Sequence, residues 1–240
     1  MKKRKITHIQ IAEAFTAAFK KAFPVMAGFL FLGLGYGIYM TGCGFSPWWP
    51  VCMAAAVYAG SVEFIVVSLL LSTFNPLYAF LLTLLVNGRH IFYGISILNK
   101  YQGTGWKKLF LVSGMSDEAF SLNYMTEPQK GILKDWYMLW ITFLLYLSWV
   151  GGAALGGFAG AIGISGIKGI EFVMPALFIV IFISQWQKES SHTSSITGWV
   201  AAIACLLIFG KTYFLLPALL LVFIVFSVQW LVNKQNKNKL

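Results

Sequence analysis

The chain reads as an all-α polytopic membrane protein, and three observations carry that expectation. Of its 240 residues 58% are hydrophobic and only 11% charged, less than half the charged share of an ordinary soluble domain. Seven long apolar runs recur through both halves of the chain, the pattern of bilayer-spanning helices. Lys and Arg gather at the ends of those runs, as at a cytoplasmic membrane face. The net charge of +10 is thus topological. It forms no basic face on a soluble fold, so a nucleic-acid partner is not expected, and the partner medium is the lipid bilayer. Residues 1–240 make a single membrane transport domain.

The elements follow in order. Residues 1–21 form an amphipathic N-tail. Ile11, Phe15, Phe19 and Phe23 recur every four residues among lysines, as in a helix lying on an anionic inner leaflet. The first span covers 24–40. Pro24 suits an early helix position, and Gly33 and Gly37 offer a small face for close helix contact. The basic start, the apolar run and MTGC at 40–43 imitate a signal peptide, but the runs that follow make this a retained span. GLGYG at 33–37 follows no strand and is no dinucleotide fingerprint.

The second segment, 47–71, is interrupted at Tyr58-Ala59-Gly60-Ser61. The third, 76–98, is interrupted at Asn87-Gly88. A basic loop spans 99–133 and holds SGMSDEAF. The fourth span, 136–157, runs into a glycine ladder at Gly152, Gly156 and Gly160, expected to serve packing. The fifth is 172–186 with Pro175 inside, the sixth 196–209, the seventh 213–232, and residues 233–240 form a basic tail.

The charges fix the count. The N-tail, the 99–133 loop and the C-tail are all basic, so all three should be cytoplasmic. Three full crossings before the loop would place it outside. Either 47–71 or 76–98 is therefore re-entrant or broken, leaving about six transmembrane spans plus one such segment. All of the eighteen Lys/Arg then face the cytoplasm except Lys168, Lys211 and Arg89.

The two interruptions locate the expected site. Non-helical backbone at membrane depth is tolerated only where it is buried in protein or lines a wet cavity, and paired broken segments point to a transporter's substrate site. Half of either segment is about a dozen residues, roughly 18 Å of helix, so both breaks fall near the midplane. Arg89 follows one break and Glu63 the other. A central charge costs about 2.5–3.5 kcal/mol on insertion scales. Arg89 suits a carboxylate held bidentately. The freed amides at Gly60 and Gly88 suit an anion, with Ser61 and Asn87 beside them. Glu63 suits an ammonium group or a proton, and His90 titrates near neutrality. Tyr58 and Tyr93 flank the breaks and either cap a freed carbonyl or pack. Together these groups fit a zwitterion with an apolar body, an amino acid. The alternative for Arg89 and Glu63 is a mutual pair that locks two segments, and for His90 a packing role.

Ser116 reads as an N-cap, with Asp117 and Glu118 in the first turn of a loop helix. These acids suit either solvation or a cytoplasmic gate and proton acceptor. Asn123 and Trp106 are expected at the interface. Cys43, Cys52 and Cys205 form no CxxC or Cys/His cluster, so neither a metal nor a cofactor is expected. Ser96, His90 and Asp117 lack a nucleophile elbow, and there is no HExxH or P-loop. The expectation is a transporter, not an enzyme.

The stretches FPVMAGFLFLGLGYGI (23–38), GFSPWWPVCMAAAVYAGSVEF (44–64), LLVNGRHIFYGIS (84–96), SGMSDEAFSL (113–122), DWYMLWITFLLYLSWVGGAALG (135–156) and EFVMPALFIVIF (171–182) together resemble the AzlC family, the larger subunit of branched-chain amino-acid exporters. The resemblance covers most of the chain. It implies a bacterial inner-membrane exporter of valine, leucine, isoleucine and analogues, coupled to protons in antiport. It also implies a small four-span partner subunit of the AzlD type. Glu63 stands where the family often has Gln, and Gly88 where an apolar residue is common. The alternatives are a structural membrane subunit without transport activity of its own, or a channel or importer for small apolar zwitterions.

Overall fold

The computed structural model describes residues 7–73, 75–163 and 191–237, with residues 172, 176, 179, 182, 183, 186 and 187 between them. Side chains at 211–213 and 230–237 are not described. Among these residues there is no strand. Three helices are long and apolar enough to cross a membrane, or four if one bent pair is a single broken span. The chain divides into two compact units, one of residues 1–71 and 89–177, the other of 72–88 and 178–240.

In the first unit, α1 runs without a stop over His8–Gly42. The amphipathic tail and the first span are therefore one helix, not two elements. The reason is a stripe of small residues. Ala14, Ala18 and Ala22 are fully buried, so helix packing continues past the apolar run towards the N-terminus. Phe15, Phe19 and Phe23, beside that stripe, stay partly exposed. Pro24 lies inside the helix rather than near its start. At 1.5 Å per residue the 35 residues reach about 52 Å, well beyond the ~30 Å hydrocarbon core.

The partner of α1 is α8, Lys134–Ala161, and glycine sets their distance. A Cβ on Gly33 would lie 2.7 Å from the Trp149 carbonyl oxygen. A Cβ on Gly37, Gly152 or Gly156 would collide with the facing backbone, and one on Gly160 with the Thr41 side chain. The ladder expected for packing thus meets a second glycine pair across the interface. The contacts advance in step along both helices. Phe15 meets Trp140 at 5.1 Å, Gly33 meets Trp149, and Thr41 meets Gly160. The two helices are therefore parallel, and residues 8 and 134 lie at the same end.

The segment 47–71 forms α2, Trp48–Ala56, and α3, Gly60–Leu70, broken at 57–59. Helix α2 enters beside the C-terminal end of α8, where Gly157 lies against Pro47 and Pro50. It reaches Tyr146, midway along α8: Tyr58 and Tyr146 pack at 5.0 Å. Helix α3 then turns back towards the end where α2 entered. Phe64 packs on Tyr36 at 5.2 Å and on Tyr39 at 5.8 Å, and Ser68 lies beside Tyr39.

A second hairpin comes from the other end, in the stretch expected as a loop. It consists of α6, Lys107–Ser113, and α7, Asp117–Met125. Lys107 pairs with Asp135 at the start of α8 and lies 4.4 Å from the Trp136 ring. Phe110 packs on Phe143 and Tyr146. At the tip, a Cβ on Gly114 would lie 2.8 Å from the Thr142 methyl. The return leg ends at Glu127, which bridges Lys100 at 2.9 Å and Lys134 at 3.0 Å. Asn123, expected at the interface, is instead fully buried. Its amide donates to Tyr101 Oη at 3.1 Å and Thr142 Oγ1 at 3.0 Å, tying the hairpin to α8. Trp106 is exposed.

The segment 76–98 forms α4, Pro76–Asn87, and α5, Arg89–Ile97. Helix α4 belongs to the second unit and α5 to the first, so the chain passes between units at Gly88. In the second unit α4 packs on α10, Leu215–Lys237, which also packs on α9, Thr193–Tyr213. Helix α9 is interrupted near its end by Gly210, with φ of 71°. Most of the expected fifth span, with Pro175, and the positions of Lys168 and residues 238–240 lie outside the described residues.

The packing yields a paired test. Gly156→Ala drives a methyl into the Leu34 backbone and should cost about 1–3 kcal/mol, read as a lower melting temperature in detergent. Gly151→Ala meets nothing within 4 Å and should leave the melting temperature unchanged.

Candidate functional site

The two hairpin tips meet midway along α8, with the start of α5 between them. The backbone of the first tip departs sharply from a helix. Tyr58 adopts φ of 45°, a left-handed conformation that costs a non-glycine residue about 1–3 kcal/mol. In an unbroken helix the Ala55 carbonyl would accept from the Ala59 N–H. Here each group has a side-chain partner instead. Tyr146 Oη donates to the Ala55 oxygen at 2.9 Å. The Ala59 N–H donates to Glu63 Oε1 at 2.9 Å.

Glu63 is 0% exposed. Trp149 Nε1 donates to its two oxygens at 3.1 and 3.2 Å. The same indole lies over Gly60, where a Cβ would be 2.9 Å from the ring. Gly60 thus makes room for the tryptophan that holds Glu63. The carboxylate sits in the first turn of α3, where the helix dipole favours it.

Arg89, the first residue of α5, joins the two tips. Its Nη2 lies 3.1 Å from Asp117 Oδ2 and donates to Ser61 Oγ at 3.3 Å. The expected alternative of an Arg89–Glu63 pair does not form, because each residue has these other partners. The Arg89 and Asp117 side chains are 45% and 36% exposed, so the pair is no sealed structural bridge. Ser116 caps α7 by accepting from the Ala119 N–H at 3.1 Å, with Asp117 and Glu118 following in the first turn. Asp117 Oδ1 and Tyr58 Oη are buried without a hydrogen bond of ordinary geometry. Tyr58 Oη lies near Ser116, and Tyr93 lies near Asp117. Tyr93 stacks on Phe120 at 4.4 Å and meets the His90 ring edge-on at 5.6 Å.

The first unit therefore brings together Tyr58, Gly60, Ser61, Glu63, Arg89, His90, Tyr93, Asp117 and Glu118. Asn87 and Gly88 belong to the second unit. Sequence reasoning missed Tyr146, Trp149 and Asn123. A signal existed for the first two. They lie three residues apart, so on one face of a helix. Their polar tips fall in mid-span, away from the interfacial belts where such residues usually sit.

The chain is similar in sequence to known proteins. The family model described as AzlC protein matches residues 24–162. The branched-chain amino acid transport protein AzlC of Bacillus subtilis is 49% identical over 219 residues, 91% of this chain and 86% of its own length. A membrane protein of Haemophilus influenzae is 45% identical over 91% of this chain and 90% of its own. The inner membrane protein YgaZ of Escherichia coli is 26% identical over 88% of this chain and 86% of its own. No solved structure matches.

Tyr146→Phe keeps the ring against Tyr58 but strands the Ala55 carbonyl. Trp149→Phe takes the indole donor from buried Glu63 and leaves it the Ala59 amide. Each should destabilise the protein by about 1–3 kcal/mol, measured as thermal unfolding in detergent.

Proposed function

The chain belongs to the AzlC family, and on that premise we propose that it is a secondary exporter of branched-chain amino acids, driven by proton antiport and working with a small four-span subunit. It resides in a bacterial inner membrane with both termini in the cytoplasm. The Bacillus subtilis relative is named for branched-chain amino acid transport. Direction, coupling and partner come from the resemblance. The observation that carries a transport site is Arg89, held between Ser61 and Asp117 where the two hairpin tips meet. A guanidinium half exposed at that depth cannot face hydrocarbon cheaply, so it faces a wet cavity. Arg89 holds the substrate carboxylate. Tyr58 and Tyr93 line the site with Gly60 and Ser61. Glu63 fixes the break at Ala59. His90, Asp117 and Glu118 are the groups placed to handle protons or gate the cytoplasmic side.

The count is six full spans with 47–71 as the re-entrant segment, because α3 turns back towards the end where α2 entered. The hairpin of α6 and α7 dips from the cytoplasmic side without crossing. Single cysteines test this. Ser46→Cys and Leu71→Cys should react with an impermeant maleimide from outside, and Gly103→Cys and Lys130→Cys only from inside. Labelling of Ser46→Cys and Leu71→Cys from opposite sides would make 47–71 a crossing.

Efflux of preloaded labelled leucine tests the activity, in cells expressing the chain with and without the small subunit. Export should need both proteins. Arg89→Gln should reach the membrane at normal abundance and lose at least tenfold in rate. A mutant that is abundant and still exports removes Arg89 from the site, and one that fails to accumulate makes it structural.

A further inference from the structure

We propose that the Arg89–Asp117 ion pair is itself the amino-acid site. The substrate's α-carboxylate replaces Asp117 on Arg89. Its α-ammonium replaces Arg89 on Asp117, and on the return step a proton takes the place of the ammonium there. The proposal rests on the transport reading above and narrows it to one coupling residue.

Three observations lead there. First, the pair presents an opposite charge to each charge of a zwitterion. Its members come from different elements, α5 and α7, so opening it breaks no helix. The side chains are 45% and 36% exposed, which leaves the pair accessible. Second, Arg89 uses one nitrogen, Nη2, for both Asp117 and Ser61. Its remaining donors suit a fork-like grip on an incoming carboxylate. Third, Asp117 is half-used. Oδ2 meets Arg89, while Oδ1 is buried without a hydrogen bond of ordinary geometry. An ammonium group carries three N–H donors, and Asp117 Oδ1 is an acceptor for it.

The surroundings favour a cation on Asp117 once Arg89 has turned to the substrate. From α5, Arg89 and Tyr93 face it, with His90 against the Tyr93 ring. From the first hairpin, Ser61 lies on Arg89, and Tyr58 lies beside Ser116. Its own helix contributes a second acid, Glu118. The other acid near the break, Glu63, is already engaged by Ala59 and Trp149. The exchange balances: an ammonium that meets protonated Asp117 displaces one proton from its carboxyl, and after the substrate leaves, Asp117 closes on Arg89 or takes up one proton.

The test uses the full chain in lipid nanodiscs, alone and with the small subunit. Three ligands are titrated calorimetrically across a pH series: leucine, 4-methylpentanoate, which lacks the amino group, and 3-methylbutylamine, which lacks the carboxylate. The wild type should bind leucine at least tenfold more tightly than either fragment. Its leucine affinity should fall towards tenfold per pH unit on the acid side, the slope of a one-proton competition. Asp117→Asn should weaken leucine at least tenfold, change 4-methylpentanoate by less than threefold and flatten the pH slope. Asp117→Glu should keep the preference for leucine. A folded Asp117→Asn protein that keeps leucine selectivity and the pH slope overturns the proposal, as does one that binds neither acid. If the Asn variant does not fold, the wild-type ligand series and the Glu variant decide. Wild type that binds leucine and 4-methylpentanoate alike, with no pH slope, overturns the proposal but leaves transport standing. Wild type that neither binds nor exports a branched-chain amino acid removes the transport reading instead.

Discussion

The glycine contact between α1 and α8 is the constraint on which the rest of the first unit depends. In lipid, no hydrophobic force drives two apolar helices together, so their contact rests on close van der Waals packing. Gly33 and Gly37 on one side and Gly152, Gly156 and Gly160 on the other bring the backbones to a separation no side chain would permit. Because the two helices are parallel, their N-terminal ends share one side, and both hairpins find places along α8. Tyr146 and Trp149 then stand at a fixed height on α8, and they hold the first break open.

Each broken backbone group at the first tip has a named side-chain partner. The Ala55 carbonyl takes Tyr146, the Ala59 amide takes Glu63, and Glu63 takes Trp149. A buried unpaired group costs about 1–3 kcal/mol, so the left-handed Tyr58 persists because these partners remove that penalty. The satisfied groups and the unsatisfied ones separate cleanly in space. Backbone groups around the break are paired. The side-chain atoms Asp117 Oδ1 and Tyr58 Oη are not. A rigid frame with unpaired polar atoms beside it is what a ligand site requires of the unliganded protein.

The sequence made the apolar segments and both interruptions legible, since composition and Gly placement act locally. The break near Tyr58 and the one at Gly88 fall where the pattern put them. The N-cap at Ser116 was equally local. Long-range pairing was not legible. The rule that a central charge needs a partner pointed Arg89 at Glu63, yet a capping carboxylate four residues from Ala59 had a nearer use. The hairpin of α6 and α7 was hidden for another reason. Its charges at Lys107, Lys108 and Glu127 and its short helices read as a solvated loop, and only burial of Asn123 and the approach of Gly114 to Thr142 place its tip against α8. The alanine stripe of α1 was overlooked because the louder phenylalanine stripe suggested a surface helix.

If Arg89 and Asp117 hold the substrate as proposed, electrical balance links the site to its energy source. Asp117 and Arg89 together carry no net charge, and neither does a zwitterionic amino acid, so loading the substrate leaves the charge at that depth unchanged. Neutrality matters where a lone charge costs several kcal/mol. With substrate bound, Arg89 and Asp117 each exchange one opposite charge for another. With a proton on Asp117 and no substrate, Arg89 keeps its charge unbalanced, and the protein moves one charge more than in the loaded state. Under the proposed mechanism, exchange of one entering proton for one leaving zwitterion would displace a single positive charge inward per cycle. A membrane potential of 100 mV adds about 2.3 kcal/mol to such a step, so an interior-negative potential would drive the proposed export even when the pH is equal on both sides. Arg89 would then be the fixed charge against which both the proton and the amino acid are counted.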